Sequence, residues 1–228
     1  LVIISYTGPE RGGREGEMND TATKERILRE GLRLFGERGY KAVSMEQIAA
    51  AVGIKAPSLY KHFPGKKAIF QAGIGEMKER HARQMLAMQM RGGAQEDTDL
   101  FLHLGEDRLI DLGKQLFAYY LHDEAFSLFR KMLTMGQYAD PEVASLLVSQ
   151  CMAGPLQYNE QLFGMMMGAG FFVTAPPKVM ALHFYAPIYM LLLICDAHPE
   201  REAESLQTLE EHIRQFNRNY VKTKEKPL

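Results

Sequence analysis

Apolar residues recur at helical spacing along nearly the whole chain. Leu28, Leu32 and Phe35 form one stripe, while arginine and glutamate side chains take the intervening positions, a pattern typical of an amphipathic helix. Thr23 stands just before this stripe and is a residue type that caps helix N-termini. We therefore predict a first helix from about Thr23 to Arg38.

Two further segments predict a helix-turn-helix. Ser44 followed by Gln47 is a capping box, and apolar residues then continue at helical spacing as far as Gly53. A third, short helix is expected to begin about three residues later. It must end by Phe63, because Pro64 disfavours helical backbone in the residue before it. A helix, a glycine-containing turn and a second helix make up this motif.

The rest of the chain also predicts helices and no strand, so the fold class is all-α with about nine helices. Beyond the helix-turn-helix, the predicted helices are residues 65–90, Asp97 to about His122, Glu124 to Met135, Pro141 to Gly168 with a kink at Gly154-Pro155, Lys178 to about Ala197, and Glu202 to about Val221.

Charge is distributed unevenly along the sequence. The formal net charge is −1, yet the segment from Asp20 to Phe70 has ten Lys and Arg against five Asp and Glu, a local charge of +5. Glu46 is the only carboxylate between Lys41 and Lys67. A basic module on a mildly acidic body favours an anionic partner such as nucleic acid.

Other compositional features give broader expectations. No unbroken apolar run reaches the roughly 18 residues of a membrane helix, so we expect no membrane partner and a cytoplasmic location. Residues 1–19 lack periodicity for most of their length and are expected to be a disordered leader. The two cysteines, Cys151 and Cys195, have no metal-type spacing and are interpreted as reduced core thiols.

The short third helix carries the chemistry of an anion-binding surface. Leu59 and Phe63 are four residues apart and should pack on the first two helices, which turns Tyr60 and Lys61 outward. These outward groups are donors or cations. Lys66 then begins the next helix, whose free amides favour a phosphate. A short helix between two phosphate-binding points suits the DNA major groove.

Residues 23–70 resemble the DNA-binding domain of the tetracycline-repressor (TetR) family of bacterial transcriptional regulators. The resemblance rests on "LFGERGY", "SMEQIAAAVGI" and "LYKHFPGK", and it covers less than a quarter of the chain. It implies an all-helical homodimer that binds a palindromic operator through its first three helices. It also implies a ligand pocket in the C-terminal body, pairing of the last two helices between protomers, and no cofactor.

The resemblance also implies domain bounds and DNA contacts. The domains would be the leader 1–19, a helix-turn-helix domain 20–66 and a ligand-binding and dimerisation domain 67–228. Tyr60 and Lys66 match phosphate contacts, Ser44 matches a contact at the start of the second helix, and the remaining matches fall where members read bases or adjacent phosphates. The predicted DNA-binding residues are Ser44, Lys55, Ala56, Ser58, Tyr60, Lys61, His62 and Lys66.

The body must be interpreted from its own residues. It is rich in methionine and aromatic side chains, which suit either a packed core or a pocket for a small apolar or aromatic effector. The pocket hypothesis names Phe117, Tyr120, Met132, Met135, Tyr158, Phe163, Met166 and Tyr189. Leu206, Leu209, Ile213 and Phe216 form a stripe on the last helix that could be either core or dimer face.

Two alternatives use the same sequence differently. An enzyme could use His103 with Glu106, or His122 with Asp123. The first pair has an i, i+3 spacing that also occurs by chance, and the second pair is adjacent in sequence and so does not share a helix face. A helical partner-binding protein without DNA binding would leave the cation cluster of the third helix unexplained. We therefore predict a non-enzymatic, ligand-responsive repressor without catalytic or metal-binding residues.

Overall fold

The computed structural model describes residues 15–222, and its regular elements in this range are helices. A π-helical turn at Val148–Ala153 joins α8 to α9, and short 3-10 turns precede α2 and α11. The all-α prediction is confirmed, and counting α8 with α9 as one helix gives ten helices in this range. The bounds are α1 Glu15–Arg38, α2 Met45–Val52, α3 Ala56–His62, α4 Lys66–Ala87, α5 Ala94–His103, α6 Glu106–His122, α7 Glu124–Gly136, α8 Pro141–Leu147, α9 Gly154–Gly168, α10 Pro177–Ala197 and α11 Glu202–Tyr220.

The first helix is longer than predicted. It begins at Glu15, so Thr23 is an interior residue and not its N-cap. Residues 15–22 contain Glu, Met and Ala, which are good helix formers. Of the predicted leader 1–19, residues 1–14 lie outside the described range.

Two other helices are interrupted. The helix predicted from Asp97 to His122 is divided because Leu104 and Gly105 have extended backbone, with ψ of 121° and 158°. In the helix predicted from Pro141 to Gly168, the π-helical turn takes the place of the kink predicted at Gly154-Pro155. Pro155 has no amide hydrogen for the carbonyl of Cys151, and the Tyr185 hydroxyl donates to that carbonyl at 2.7 Å.

The described residues form two compact units. The first unit comprises residues 15–81 and Glu124–Leu147, and the second unit comprises Ala82–Asp123 and residues 148–222. This division describes packing only. The boundary between a helix-turn-helix domain ending at residue 66 and a ligand-binding domain beginning at residue 67 stays a prediction.

The core of the first unit joins α1–α4 to α7. Phe35 and Phe70 pack edge to face with ring centroids 6.3 Å apart, and Phe70 contacts Phe129 of α7 at the same distance. Ile48 and Leu59 are fully buried in this unit. The helix-turn-helix is therefore built on a scaffold that includes a helix from much later in the chain.

Aromatic rings fill much of the second unit. Phe163 of α9 lies 5.5 Å from Phe172, 5.5 Å from Phe184 and 5.3 Å from Phe216, measured between ring centroids. A further apolar cluster joins α6, α10 and α11, and its buried members are Ile110, Phe117, Leu191, Leu192, Cys195, Leu209 and Ile213.

Helix α10 corrects one expectation from the sequence. By length and composition it could cross a membrane, although the sequence predicted no segment of that kind. The prediction counted unbroken apolar residues, and His183 interrupts the run. Met180, Leu192 and Cys195 of this helix are buried in the second unit, and core helices have the same composition as membrane spans.

Candidate nucleic-acid interface

The turn between α2 and α3 is fixed by hydrogen bonds that the sequence anticipated. The amide of Ser44 donates to Gln47 Oε1 at 2.8 Å, and the Gln47 amide donates to Ser44 Oγ at 3.3 Å. This confirms the predicted capping box. Gly53 ends α2 in the left-handed conformation at φ 77°, which glycine adopts without strain, and its amide donates to Ala50 O at 3.1 Å.

Helix α3 is anchored by the two apolar residues that the spacing indicated. Leu59 is fully buried and Phe63 is 8% exposed. Phe63 is extended before Pro64, and its amide donates to Leu59 O at 3.0 Å, which ends the helix. Arg26 of α1 donates to Val52 O at 2.5 Å and holds the end of α2. The short helix therefore has a defined position on the first unit.

The outer face of α3 presents hydrogen-bond donors and cations. Lys55 is the N-cap residue and is exposed, as is Lys61, and the Tyr60 side chain is 48% exposed. Ala56 and Ser58 are partly buried. With His62, six of the eight predicted DNA-binding residues thus lie together on this short helix and its cap. Its seven residues include no carboxylate, so the face suits an anionic ligand.

His62, also predicted to meet DNA, has a partner that the sequence did not indicate. Its Nδ1 lies 3.0 Å from Asp20 Oδ1, and its side chain is 15% exposed. Asp20 belongs to the part of α1 that precedes the predicted start of that helix. The contact of Asp20 with His62 exists only because α1 begins before Thr23. No local sequence pattern could therefore have identified Asp20 as the partner of His62.

Lys66 also has partners within the protein. Its ammonium group donates to Tyr40 O at 2.9 Å, Val43 O at 3.0 Å and Lys41 O at 3.3 Å, and lies 4.7 Å from the centroid of the Tyr40 ring. An ammonium group has three hydrogens to donate, and three carbonyls account for them. A direct contact between Lys66 and a phosphate stays a prediction, and the geometry gives this residue a structural role in the turn before α2.

The turn between α7 and α8, together with the first turn of α8, adds contacts to this region that sequence analysis missed. Lys67 pairs with Glu142 at 2.9 Å, and Lys41 donates to the carbonyl of Ala139. Tyr138, in the same turn, is 92% exposed. The partners are far apart in sequence, so charge alone gave no signal of which residues would pair.

The predicted ligand-binding residues are divided between the two units. Met132 and Met135 belong to the first unit, where Met132 is buried and Met135 is 51% exposed. In the second unit, Tyr158, Phe163 and Met166 are buried in one apolar cluster. Phe117 and Tyr120 belong to another cluster, and Tyr189 stacks on Tyr185 with centroids 6.2 Å apart. Phe163 packs as a core residue, and a pocket lined by this set stays a prediction.

Tyr158 and Asp97 form a buried polar pair in the second unit. The Tyr158 hydroxyl donates to Asp97 Oδ2 at 2.8 Å, and the carboxylate also accepts the amides of Arg91 at 2.6 Å and Gly92 at 3.1 Å. Burial, reinforced by the negative charge of Asp97, raises the pKa of Tyr158. The pair ties the turn before α5 to α9.

The histidines considered for enzymatic chemistry have individual partners. His122 Nε2 lies 2.8 Å from Glu202 Oε1, and His103 Nδ1 lies 2.8 Å from the carbonyl oxygen of Asp99. Within residues 15–222, no group of three histidine, cysteine, aspartate or glutamate side chains is placed to hold a metal ion.

Comparison with known proteins agrees with this geometry. Residues 27–72 match the model of the bacterial regulatory proteins of the tetR family. The biofilm operon icaADBC negative transcriptional regulator IcaR of Staphylococcus aureus is 39% identical over 51 residues, which are 22% of this chain and 27% of IcaR. The transcriptional regulator TcmR of Streptomyces glaucescens is 30% identical over 118 residues, which are 43% of this chain and 52% of TcmR.

The matched segments thus span between about a quarter and about half of these relatives. Over more of the chain, the fold resembles that of SmeT, the repressor of the Stenotrophomonas maltophilia multidrug efflux pump SmeDEF. The TM-score is 0.62 at 20% identity, covering 92% of this chain and 99% of SmeT. Residues 27–72, which match the family model, contain the capping box, the anchored α3 helix and its cation-bearing face. In residues 27–72, the chain is therefore similar to the bacterial regulatory proteins of the tetR family.

Proposed function

We propose that the protein is a ligand-responsive transcriptional regulator, most simply a repressor, that binds a palindromic operator as a homodimer. The observation that carries this proposal is the outer face of α3, where Lys55, Tyr60 and Lys61 are exposed while Leu59 is fully buried. A rigidly held short helix with cations outward can enter a major groove and pair with phosphates. We expect the protein to bind DNA without catalysing a reaction and to act in the cytoplasm.

The proposed dimer uses the outer face of α10. Val179, Leu182 and Met190 are 45%, 50% and 55% exposed, and all three lie on this one helix. The apolar stripe on α11 that the sequence suggested as a possible dimer face is not used in this proposal, because its residues Leu209 and Ile213 are buried within the protomer. Exposed apolar side chains of this kind mark an association surface. A two-fold dimer would present two α3 helices to half-sites about 34–36 Å apart.

A small apolar or aromatic effector is proposed as the signal. SmeT, which shares the fold, has been solved in complex with triclosan, with a TM-score of 0.60 at 20% identity. The aromatic and methionine content of the second unit suits a ligand of that class. Such a ligand releases DNA only to the extent that it binds the DNA-free conformation more tightly.

A DNA-binding assay with the full chain tests the proposal. An operator is first selected from a random duplex pool, and its affinity is then measured by fluorescence anisotropy at several salt concentrations. Binding should weaken steeply with salt, and Lys61→Ala should reduce the slope of log K against log salt by about two, because each dimer loses two phosphate contacts. Lys222→Ala is the matched control, because Lys222 is an exposed lysine outside α3 and outside the proposed dimer face of α10.

The same assay tests the effector. Triclosan serves as an aromatic probe and should lower operator affinity if the pocket accepts this chemistry. No operator enrichment from a well-folded sample at low salt would refute the DNA-binding proposal. An unchanged operator affinity with a panel of apolar and aromatic probes would refute the effector proposal alone.

A further inference from the structure

The early turns of α1 reach the end of the helix proposed to enter the major groove. Asp20 Oδ1 lies 3.0 Å from Nδ1 of His62, the last residue of α3. The two residues are 42 positions apart in sequence, and each belongs to the first unit. If α1 began at Thr23, this contact would not exist.

The carboxylate of Asp20 is held from both sides. Its Oδ2 lies 3.1 Å from Nζ of Lys24, one turn along the same helix, while Oδ1 contacts His62. The Asp20 side chain is 49% exposed, whereas that of His62 is 15% exposed. The pairing therefore fixes a carboxylate at the edge of the interface and confines the imidazole ring beside it.

This contact determines which ring nitrogen of His62 can meet another molecule. An ionised carboxylate only accepts hydrogen bonds, so Nδ1 must carry the proton that it donates to Asp20. Only Nε2 is then available to a further partner. A neutral ring can accept at Nε2 from the amino group of adenine or cytosine, and a protonated ring can donate there to a phosphate.

We propose that Asp20 is a positioning residue of the DNA interface, holding His62 so that Nε2 faces the operator. Asp20 itself does not contact DNA. The inference rests on the proposed DNA-binding function and adds the N-terminal extension of α1 to its machinery.

Loss of a carboxylate beside DNA should, by charge alone, tighten binding, because repulsion of the phosphates decreases. Asp20→Ala should instead weaken binding of the selected operator about ten- to a hundredfold, the effect of losing one orienting hydrogen bond in each of the two protomers. Glu25→Ala is the matched control, since Glu25 is an exposed carboxylate on the same helix. It should bind the operator as tightly as the parent protein or more tightly.

A double-mutant cycle separates positioning from general structure. In the His62→Ala background, Asp20→Ala should no longer weaken binding, and thermal melts should show both variants folded. Ring ¹⁵N chemical shifts of His62 should indicate a protonated Nδ1 in the parent and a changed tautomer balance in Asp20→Ala. This measurement needs no DNA, so it distinguishes failure of the pair from failure of the DNA-binding function.

Tighter binding by Asp20→Ala, matching Glu25→Ala, would overturn the proposal. An equal effect of Asp20→Ala with and without the His62 side chain would also overturn it. A parent protein that selects no operator would remove its functional basis, and the ring shifts would then show only whether the pair itself exists.

Discussion

The ammonium group of Lys66 donates a hydrogen bond to the backbone carbonyl of Tyr40 over 2.9 Å. Lys66 is the first residue of α4, and Tyr40 begins the turn that leads from α1 into α2. With Lys41 O and Val43 O also accepting from the same ammonium, the side chain connects α4 to that turn. The lysine that the sequence assigned to a phosphate is therefore a structural element of the helix-turn-helix scaffold.

We predict that Lys66→Met lowers the free energy of unfolding by about 1–2 kcal/mol, because charge-assisted hydrogen bonds are lost and carbonyls lose their donor. Chemical denaturation measures this change. Lys67→Met is the control that removes the same charge, and its exposed pair with Glu142 should contribute nothing measurable. Unchanged stability of Lys66→Met together with lost DNA binding would instead restore the phosphate-contact interpretation.

Local features of the helix-turn-helix were accessible from the sequence because their causes are local. The capping box needs only Ser44 and Gln47, and the end of α2 needs only a glycine that tolerates positive φ. The burial of Leu59 and Phe63 follows from their four-residue spacing on a short helix. These predictions are confirmed, as are the all-α class and most helix positions.

Features that depend on tertiary pairing were not accessible. Asp20 meets His62 across 42 residues, and Lys67 meets Glu142 across 75. Nothing in the sequence distinguishes these carboxylates from the other acidic residues of the chain. The pocket prediction had the same weakness, because methionine and aromatic residues at helical spacing pack equally well as core, as Phe163 does here.

Gly73 permits close packing of α4 on α1. A Cβ atom there would lie 2.7 Å from Leu32 Cδ2 and 3.0 Å from its Cγ, whereas at Gly75 no atom lies within 4 Å. Gly73→Ala should therefore destabilise the protein by about 1–3 kcal/mol through overpacking. Gly75→Ala should stabilise it by about 0.5–1 kcal/mol, because alanine favours the helix. Thermal unfolding compares the two, and similar shifts for both would contradict the packing argument.

Burial of His81 should make the free energy of unfolding depend on pH in the acidic range. Burial lowers the pKa of His81 to about 3, and its ring lies 5.6 Å from that of Phe126. In the unfolded chain the ring takes up a proton near pH 6.5, so between pH 6.5 and 3 the unfolded state binds more protons. The free energy of unfolding should then fall as pH falls through this window, by up to about 1.4 kcal/mol per pH unit.

Replacement by an apolar residue isolates this contribution. His81→Leu has no ring to protonate, so urea unfolding should show a shallower loss of stability between pH 6.5 and 3 than in the parent protein. Other groups titrate in the same range, but they do so equally in the two proteins. Parallel stability curves would show that His81 is accessible to protons in the folded state.

The outer face of α10 provides the test of assembly. Leu182 is 50% exposed near the middle of the exposed apolar positions. If this face is the dimer interface, Leu182→Glu buries an unpaired charge there and should raise the dimer dissociation constant at least about thirtyfold. Gln115→Glu on α6 adds the same charge at an exposed polar position and should leave the dimer intact. Sedimentation velocity at micromolar concentration distinguishes the two outcomes.

Operator affinity should fall when dimerisation is lost, because a monomer engages one half-site and loses the effective concentration of the second. A Leu182→Glu protein that remains dimeric would place the interface on another surface.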